Sequence, residues 1–506
     1  MMRTRWISLH GKQWRSALGR LAPVAAVLCL VLAAAYALPG APPIVLIFPA
    51  AGVVLVVAWL RRRWTDNIET RIAKLVGRQR MKRMRTYTKD FPGFRLVDVC
   101  RATDRLCRQN SDPVVIESHH EHEDLNSLLH AKAGRLGSRR VQGASRLAWA
   151  VGPGEEDYFP IDCFWVTQHA DGGSAQWVVF RIRYIPYSDR VVLETASENL
   201  ASGRACVDEI VAASARDSIY RHQTLEVSFE PGVKDEYGEV ENAERFNVSF
   251  KATELVEDAD IILDPQVQRT LQRNVLDLHL HRDRLKAHGV PVRRGVLLYG
   301  PPGTGKTFAC RYLCGRLPQA TKLIAAGNAL LRVKSVFNLA RLLQPSVIVL
   351  EDVDLVFSAR EINLYSSVLG ELLDQMDGLR PYEDVSVILT TNAIDRLEAA
   401  IRDRPGRLSQ LVHFGAPTDE LRRRYLVRYL QPHSIEALDF DDLVRVSHGA
   451  TQAFLKEWVH RAVQVALERV CEDAGPRLTN GDFHVAFEEM RRFSQGTSGR
   501  IIGFHD

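Results

Sequence analysis

Eight consecutive residues of this 506-residue chain have the types and spacing needed to bind phosphate groups. They are Gly300, Pro301, Pro302, Gly303, Thr304, Gly305, Lys306 and Thr307. The segment fits G-x-x-x-x-G-K-[ST], in which the glycines let backbone N–H groups converge on the α- and β-phosphates of a nucleotide. The lysine of such a segment reaches the β- and γ-phosphates, and the hydroxyl after it binds Mg²⁺. This segment, the phosphate loop, therefore predicts a site for ATP and Mg²⁺, with Thr307 as a metal ligand.

The residues on either side of the phosphate loop predict a strand before it and a helix after it. The apolar run Gly295–Tyr299 is typical of a buried strand. A helix starting near Thr307 would point the positive end of its dipole at bound phosphates. Because strand, loop and helix follow in this order, a chance match of the eight residues is improbable.

Two acidic residues follow a second predicted strand. The β-branched run Val347–Leu350 ends in Glu351 and Asp352, and Asp354 lies two residues further on. Carboxylates at the C-terminal end of a strand suit a partner for Mg²⁺ and a residue that polarises the attacking water.

An amide and two arginines complete the set of candidate residues. The predicted strand Val385–Leu389 leads to Asn392, whose amide can hold the same water or contact the γ-phosphate. Further along, Arg404 and Arg407 of an RPGR segment can stabilise charge in the transition state. The acidic pair or Asn392 alone could be explained as a cap or a turn. The phosphate loop, the acidic pair, the amide and the arginines in this order predict nucleotide hydrolysis.

Four motifs, GPPGTGKT, VIVLEDVD, LTTN and RPGR, together resemble those of an AAA ATPase of the classic clade, over roughly Val256–Phe493. The resemblance implies an α/β fold with a five-stranded parallel sheet, helices on both faces and a C-terminal helical lid at about 417–493. It also implies that ATP lies between the subunits of a ring, usually a hexamer, and that Arg404 and Arg407 act on the ATP of the neighbouring subunit.

The resemblance also assigns roles to single residues. By position in the motif, Glu351 is the Mg²⁺ partner and Asp352 is the catalytic carboxylate, assisted by Asn392. His448 and Gly449 resemble the lid segment of the family that lies beside the adenine.

The chain departs from the family pattern in its acidic pair and in its pore segment, and in addition Ile401-Arg402-Asp403 precedes the RPGR segment and leaves a choice of nearby arginines. Its acidic pair runs Glu then Asp, where the family normally has Asp then Glu, so the catalytic side chain is one methylene shorter. The segment Ala329–Lys334 contains no Phe, Tyr or Trp where the family normally has an aromatic pore loop. Both departures are similar to the mitochondrial AAA translocase type that moves the folded Rieske iron–sulfur protein. The sequence has no HExxH motif, so no zinc-protease site is predicted.

The first part of the chain predicts a membrane anchor. Residues 21–60 contain no charged side chain and are interrupted by Pro39–Pro43, so they predict a transmembrane hairpin with spans at 21–38 and 44–60. Basic residues on both sides predict a multi-pass protein of a bacterial-type inner membrane, with its ATPase part in the cytoplasm. For the first span, a cleavable signal peptide ending near Ala35–Ala37 is the alternative.

Positive charge is concentrated in the same part of the chain. Residues 1–90 contain 16 Lys and Arg against three acidic residues, although the whole chain has a net charge of +5. The rest of the chain is therefore net acidic, which argues against a nucleic-acid partner. The basic stretch 61–89 either binds anionic lipid or is a solvated stretch that only sets the orientation.

The remaining residues complete the predicted domain organisation. β-Rich runs and one helical stretch predict an α+β middle domain. In chain order we predict a basic N-terminus (1–20), the hairpin (21–60), a basic juxtamembrane segment (61–94), the middle domain (95–254), an ATPase α/β subdomain (255–416), a helical lid (417–493) and a tail (494–506). Histidines within 119–122 have the chemistry of metal ligands, but a solvated acidic loop is favoured, and the eight cysteines lack zinc-ligand spacing.

Two functions are predicted from these features. The first is a membrane-anchored, ring-forming AAA ATPase that remodels, extracts or moves an unidentified protein client at the cytoplasmic membrane face. The alternative is an ATP-dependent oligomeric scaffold or switch with little hydrolysis. The reversed acidic pair and the missing pore aromatic favour the scaffold, whereas Lys306, Asn392 and the two arginines favour the enzyme.

Overall fold

The computed structural model describes most of the chain from Ile68 onwards, in two units. The described residues are 68–118, 124–130, 145–171, 174–234, 240–242, 244–252, 256–292, 294–355, 362–380, 383–395, 410–431, 433, 435, 438–469 and 477–498. The first unit consists of stretches that end at Ala212, and the second consists of 149–157, 187–189 and the chain from Ala213 onwards.

The structure corrects the predicted membrane localisation. Within the described ranges, no helix has both the length and the apolar character needed to cross a bilayer. The two longest described helices, Gln452–Arg469 and Asn480–Ser498, each contain several charged residues. The predicted N-terminus (1–20) and the spans at 21–38 and 44–60 lie outside the described residues. The prediction of a multi-pass membrane protein is therefore not retained.

Seven strands and five helices belong to the N-terminal part of the described chain. The strands are β1 (Arg85–Pro92), β2 (Val114–Ser118), β3 (Arg146–Gly152), β4 (Glu155–Pro160), β5 (Asp162–Asp171), β6 (Ser174–Ile185) and β7 (Arg190–Ser197). The helices are α1 (Ile68–Val76), α2 (Arg78–Met81), α3 (Leu96–Asn110), α4 (Leu125–His130) and α5 (Leu200–Arg216). β3 and β4 form a separate hairpin, and the other strands form one antiparallel sheet in the order β1-β7-β6-β5-β2. The predicted α+β character of this region is therefore present in the structure.

The described part of the predicted juxtamembrane segment is folded into this first unit. Ile68, Ile72 and Val76 recur at helical spacing along α1 and are all buried. They pack in one core with Leu125 of α4 and Phe164 of the sheet. Residues 68–92 therefore contribute two helices and an edge strand, because their apolar face is needed to cover the sheet.

Three buried charged side chains and one partly buried one, Arg183, form a cluster in the first unit. Arg181 is fully buried and donates from Nε and Nη2 to the two carboxylate oxygens of Asp162, at 2.9 and 2.8 Å. Arg183 donates to Glu194 at 3.1 Å, and Glu194 accepts the backbone N–H of Leu125 at the start of α4. The charges of two guanidiniums and two carboxylates cancel, and all four side chains form hydrogen bonds. This cluster is therefore structural, and it ties α4 to the sheet.

The second unit is built on a seven-stranded sheet. Its strands, with a separate two-stranded ribbon of β9 and β10, are β8 (Thr224–Glu230), β9 (Val233–Lys234), β10 (Val240–Asn242), β11 (Arg245–Phe250), β12 (Arg294–Tyr299), β13 (Thr321–Ala325), β14 (Ser346–Leu350), β15 (Val385–Thr391) and β16 (Gln410–His413). The spatial order is β11-β8-β13-β14-β15-β12-β16. The last six strands in this order are parallel, so the sheet contains the five predicted parallel strands and one more, β8.

Two strands of this sheet, β8 and β11, come from residues before position 255, where the ATPase subdomain was predicted to begin. β8 pairs in parallel with β13, with Thr224 opposite Lys322, and β11 pairs antiparallel with β8. The sequence predicts strands at Leu225–Phe229 and Phe246–Phe250 but assigns them to the middle domain. Strand propensity is a local property, whereas the neighbour that a strand pairs with depends on long-range hydrogen bonds.

Helices cover the sheet and form the lid. The helices near the sheet are α6 (Pro265–Leu271), α7 (Asp277–Leu280), α8 (Arg282–Ala287), α9 (Lys306–Gly315), α10 (Val333–Leu342) and α11 (Ile362–Asp377), with a π-helical turn at Gln272–Leu276. The lid helices are α12 (Asp419–Leu430), α13 (Phe440–Val446), α14 (Gln452–Arg469) and α15 (Asn480–Ser498). The lid has its own core around Trp458, whose indole N–H donates to the carbonyl of Phe483 at 2.8 Å.

Candidate nucleotide site

The phosphate loop connects β12 to α9 at the C-terminal edge of the parallel strands. Gly300, Gly303 and Gly305 all have positive φ, at 147°, 79° and 97°. This backbone conformation is rarely adopted by residues with a side chain. At Gly300 a Cβ atom would also lie 2.1 Å from the carbonyl oxygen of Phe414, so this position has no room for one. Folding therefore requires glycine in the loop that the sequence assigned to phosphates.

Lys306 is the first residue of α9 and is only 6% exposed. Its ammonium group donates to the carbonyls of Gly300 and Pro301 at 2.7 and 2.8 Å and to Oδ1 of Asn392 at 2.8 Å. Burial lowers the pKa of Lys306, and the carboxylates of Asp352 and Asp354 act in the opposite direction. The cation is thus held at the loop, next to the tip of β15.

Asn392 joins the loop lysine to the acidic segment. Its side-chain Nδ2 approaches Oδ1 of Asp352 at 3.4 Å, and its backbone N–H donates to Oδ1 of Asp354 at 3.0 Å. Asp352 has a φ of 48°, which is uncommon for a non-glycine residue, and its N–H donates to the hydroxyl of Thr390 at 2.9 Å. The structure therefore brings Lys306, Asn392 and Asp352 together at the C-terminal ends of three strands.

Glu351 follows the last residue of β14 and is held there by its backbone N–H, which donates to the carbonyl of Ala325 at 3.0 Å. Burial raises the pKa of Glu351; the cation of Lys251 opposes this rise and the carboxylate of Asp352 adds to it. Lys251 itself forms an ion pair with Glu226 at 2.9 Å. Because Lys251 follows β11 and Glu226 lies on β8, the two added strands contribute to the electrostatics of the acidic pair.

The residues predicted to bind Mg²⁺ offer a suitable set of donors. Thr307, in the first turn of α9, carries a hydroxyl, and Glu351 carries a carboxylate, so both present the oxygen ligands that Mg²⁺ prefers. Among the residues that the structure describes, no group of three or more His, Cys, Asp or Glu could hold a metal by itself. The residues fit a Mg²⁺ bound through one or two protein oxygens and otherwise through nucleotide phosphates.

The lid contacts the phosphate loop through the start of α14. The N–H of Ala453 donates to the carbonyl of Gly303 at 3.0 Å, and Thr451 lies close to the same glycine. Gln452 places its side-chain oxygen 2.2 Å from the point where a Cβ of Gly305 would lie. No motif in the sequence marks these three lid residues; their only sequence signal is their position shortly after His448 and Gly449.

Comparison with known proteins identifies this part of the chain. Residues 296–416 match the family described as ATPase family associated with various cellular activities (AAA). The matched range begins inside β12 and includes the phosphate loop, both acidic residues and Asn392. This part of the chain is similar to an AAA ATPase domain, and together with the lid that follows it is called the AAA domain.

Two curated relatives match the AAA domain and its surroundings. The ATP-dependent zinc metalloprotease FtsH 2 of Thermoanaerobacter sp. (strain X514) is 31% identical over 206 residues, which is 38% of this chain and 40% of that protein. The proteasome-activating nucleotidase of Archaeoglobus fulgidus is 32% identical over 246 residues, which is 45% of this chain and 60% of that protein. The chain thus spans about half the length of these relatives. A crystal structure of the FIGL-1 AAA domain is 23% identical over 47% of this chain and 85% of that one, with a TM-score of 0.39, a likeness too low to carry an argument.

The residues predicted beside the adenine lie at the end of α13 in the lid of the AAA domain. Gly449 has a φ of 77° and forms the turn that leads to α14. His448 lines a cavity of about 570 Å³ together with charged residues of α12 and α13, among them Arg422 and Asp441. The described contacts between lid and phosphate loop come from Thr451–Ala453, so they do not place His448 at the loop. Arg404 and Arg407 lie outside the described residues.

A short linker, residues 260–262, packs against both parts of the AAA domain, the sheet and the lid. Ile261 belongs to the core beneath the sheet, whereas the next residue, Ile262, belongs to the lid core. The hydroxyl of Tyr425 on α12 donates to the carbonyl of Ile262, and Arg428 forms an ion pair with Asp260. This linker therefore fixes the lid to the sheet along one side of the AAA domain.

The segment where the family has its pore loop is packed onto the added strands. It forms a 3₁₀ helix at Gly327–Arg332, in which Ala329 and Leu330 are buried. The guanidinium of Arg332 lies 4.8 Å from the centre of the Phe229 ring on β8 and forms an ion pair with Glu244. These contacts hold the end of the segment against β8.

Proposed function

We propose that this chain hydrolyses ATP in a homo-oligomeric ring and uses the reaction to remodel or move a protein client. The observation that carries the proposal is the hydrogen-bonded series Lys306–Asn392–Asp352, which joins three separate chain segments at the phosphate loop. Hydrolysis requires a cation for the terminal phosphates and a carboxylate for the attacking water within reach of each other. This series provides both.

In the proposed reaction, Lys306 exchanges its hydrogen bonds with the neutral loop carbonyls for stronger ones with the negatively charged β- and γ-phosphates. Asp352 accepts a hydrogen bond from the attacking water, and the amide of Asn392 orients that water. Asn392 is suited to this task because it already contacts both Lys306 and Asp352.

Two further sets of residues complete the proposed site. Thr307 and Glu351 would hold Mg²⁺, which when bound neutralises charge on the phosphates. Arg404 and Arg407 would reach the γ-phosphate of ATP on the neighbouring subunit and stabilise the charge of the transition state. This last step requires a ring. The match of residues 296–416 to the AAA family supports the proposal of a ring.

A protein client is the substrate class that the relatives support, since one is named a protease and the other an activator of the proteasome. We do not extend proteolysis to this chain, because the sequence has no HExxH motif. The segment Ala329–Lys334 has no aromatic residue, and its Arg332 is held by Phe229 and Glu244. We therefore propose that the client is not gripped by an aromatic pore loop.

A scaffold or switch that binds ATP but hydrolyses it slowly is the second candidate. Two observations favour it: the catalytic carboxylate is the shorter Asp352, and burial raises the pKa of its neighbour Glu351. Steady-state ATP turnover by the full chain separates the candidates, because the scaffold binds ATP and assembles without measurable turnover.

Replacement of Asp352 by asparagine is expected to lower the turnover number by about 10²–10⁴ while ATP binding is retained. The amide preserves the shape of the side chain but cannot accept the proton of the attacking water. Phosphate release and binding of a fluorescent ATP analogue measure the two properties. Asp283→Asn, an exposed aspartate on α8, is the matched control and should hydrolyse ATP like the wild type. Turnover by Asp352→Asn within a factor of two of wild type would remove Asp352 from the reaction.

Replacement of Glu351 by glutamine is expected to weaken Mg²⁺-dependent ATP binding by roughly 10-fold or more. Burial raises the pKa of Glu351, so the folded state disfavours its ionised form, and this cost grows as the pH rises through that pKa. Glutamine has no such cost and should leave the melting temperature near neutral pH equal or higher. ATP titrations with Mg²⁺ and with EDTA test the first effect. If Glu351→Gln instead binds ATP normally and stops turnover, the roles of Glu351 and Asp352 are reversed.

A further inference from the structure

The side chain of Gln452 lies between the lid and the phosphate loop. Gln452 is the first residue of α14, and its Oε1 occupies the space beside Gly305 that a side chain there would need. Gly305 directly precedes Lys306 and has a φ of 97°. A shift of Gln452 therefore acts on the residue whose backbone sets the start of α9 and the direction of the loop lysine.

The amide of Gln452 is held in place by a second contact within the lid. Tyr429 on α12 lies within reach of this amide, which lowers the pKa of its phenol against the rise that burial causes. Tyr429 stacks on Tyr425 with ring centres 5.9 Å apart, and the hydroxyl of Tyr425 donates to the carbonyl of Ile262 in the linker. A continuous series of contacts thus runs from the linker through two lid tyrosines to the phosphate loop.

The nearby backbone contact makes this arrangement more rigid. The N–H of Ala453 donates to the carbonyl of Gly303, so the start of α14 contacts the loop at Gly303 as well as at Gly305. If α14 moves towards the loop, the Gln452 side chain has to displace Gly305; if α14 moves away, the hydrogen bond of Ala453 with Gly303 is lost.

We propose that Gln452 is a positioning residue for ATP: with Tyr429 it holds the phosphate loop in the conformation that binds the nucleotide and couples that conformation to the lid. This inference rests on the ATP binding proposed above and adds a residue outside the known motifs. Loss of the contact between Gln452 and Tyr429 should raise the dissociation constant and the KM for ATP by about 3- to 10-fold. The turnover number should change by less than a factor of two, because Gln452 acts on the loop and not on the attacking water.

The test uses the full chain with Gln452→Met, which keeps the length of the side chain but removes the amide, and with Tyr429→Phe, which removes only the hydroxyl. Binding is measured with an N-methylanthraniloyl derivative of ATP, and KM and kcat by phosphate release. Both variants should weaken ATP binding. The double variant should bind ATP no more weakly than Gln452→Met, because the two side chains act through one contact.

Gln272→Met is the matched control, since Gln272 is an exposed glutamine with a hydrogen bond to Asp277 and should leave ATP binding unchanged. Normal ATP binding by folded Gln452→Met, or additive effects in the double variant, overturns the inference while the proposed function stands. Absence of ATP binding by the wild-type chain overturns both. Tyr429→Phe retains the ring and its packing, so it tests the same contact if Gln452→Met fails to fold.

Discussion

Replacement of Lys306 by alanine is expected to weaken ATP binding by about 10²–10⁴, to the point where binding is no longer measurable at micromolar nucleotide. The estimate follows from the loss of two charge-assisted hydrogen bonds to the β- and γ-phosphates, each contributing about 1.5–3 kcal/mol. Titration of the full chain with a fluorescent ATP analogue measures the effect. Circular dichroism and the melting temperature establish that the variant is folded.

The chain offers a closely matched control for this variant. Lys322 on β13 is 5% exposed, compared with 6% for Lys306, and it also donates to a backbone carbonyl, that of His222 at 3.0 Å. Burial lowers the pKa of both lysines. Lys322→Ala should therefore report the cost of removing a buried lysine without affecting ATP binding. Wild-type affinity in folded Lys306→Ala, or equal loss in the two variants, would falsify the assignment of the phosphate loop.

Replacement of Arg404 or Arg407 by alanine is expected to lower the turnover number by about 10³–10⁵, with ATP binding nearly normal. The physical reason is that a guanidinium supplied by the neighbouring subunit stabilises charge that appears only in the transition state, so its loss does not weaken the ground state. Phosphate release and analogue binding measure the two effects on the same preparation.

Mixing two inactive variants tests whether the arginines act between subunits. A Lys306→Ala subunit lacks its own phosphate site but still presents Arg404 and Arg407, whereas an Arg407→Ala subunit retains its phosphate loop. Mixed rings contain some interfaces with an intact loop on one side and intact arginines on the other, so activity should reappear in proportion to their number. Inactive mixtures of subunits that demonstrably co-assemble contradict the ring mechanism and favour the scaffold.

The amino-acid sequence by itself determined which candidate residues of the nucleotide site follow which strands. The reason is that each motif is local: the phosphate loop, Glu351–Asp352 and Asn392 each directly follow an apolar, β-rich run. In a parallel sheet the C-terminal ends of the strands lie on one edge, so residues that follow different strands must come together there. The contact of Lys306 with Asn392 at 2.8 Å agrees with this reasoning.

The N-terminal part shows where local patterns were insufficient. The uncharged run 21–60 predicts a membrane anchor with residues 61–94 as its basic juxtamembrane segment, whereas Ile68, Ile72 and Val76 are buried in the first unit. A basic segment with apolar residues at helical spacing is compatible with a juxtamembrane helix and with a helix that packs on a sheet. Only the presence of an uncovered sheet face next to it decides between them.

Tertiary structure alone decided three further features of this protein. β8 and β11 read as strands in sequence, but their place beside β13 depends on which sheet edge was available. Arg181 and Asp162 look like exposed charges in the sequence, but the pairing of β5 with β6 brings them together as diagonal neighbours in a buried network. Gln452 has no motif of its own, and it meets Gly305 only because α14 packs over the loop. Such contacts join residues far apart in the chain, and their energy depends on packing and burial that no local spacing encodes.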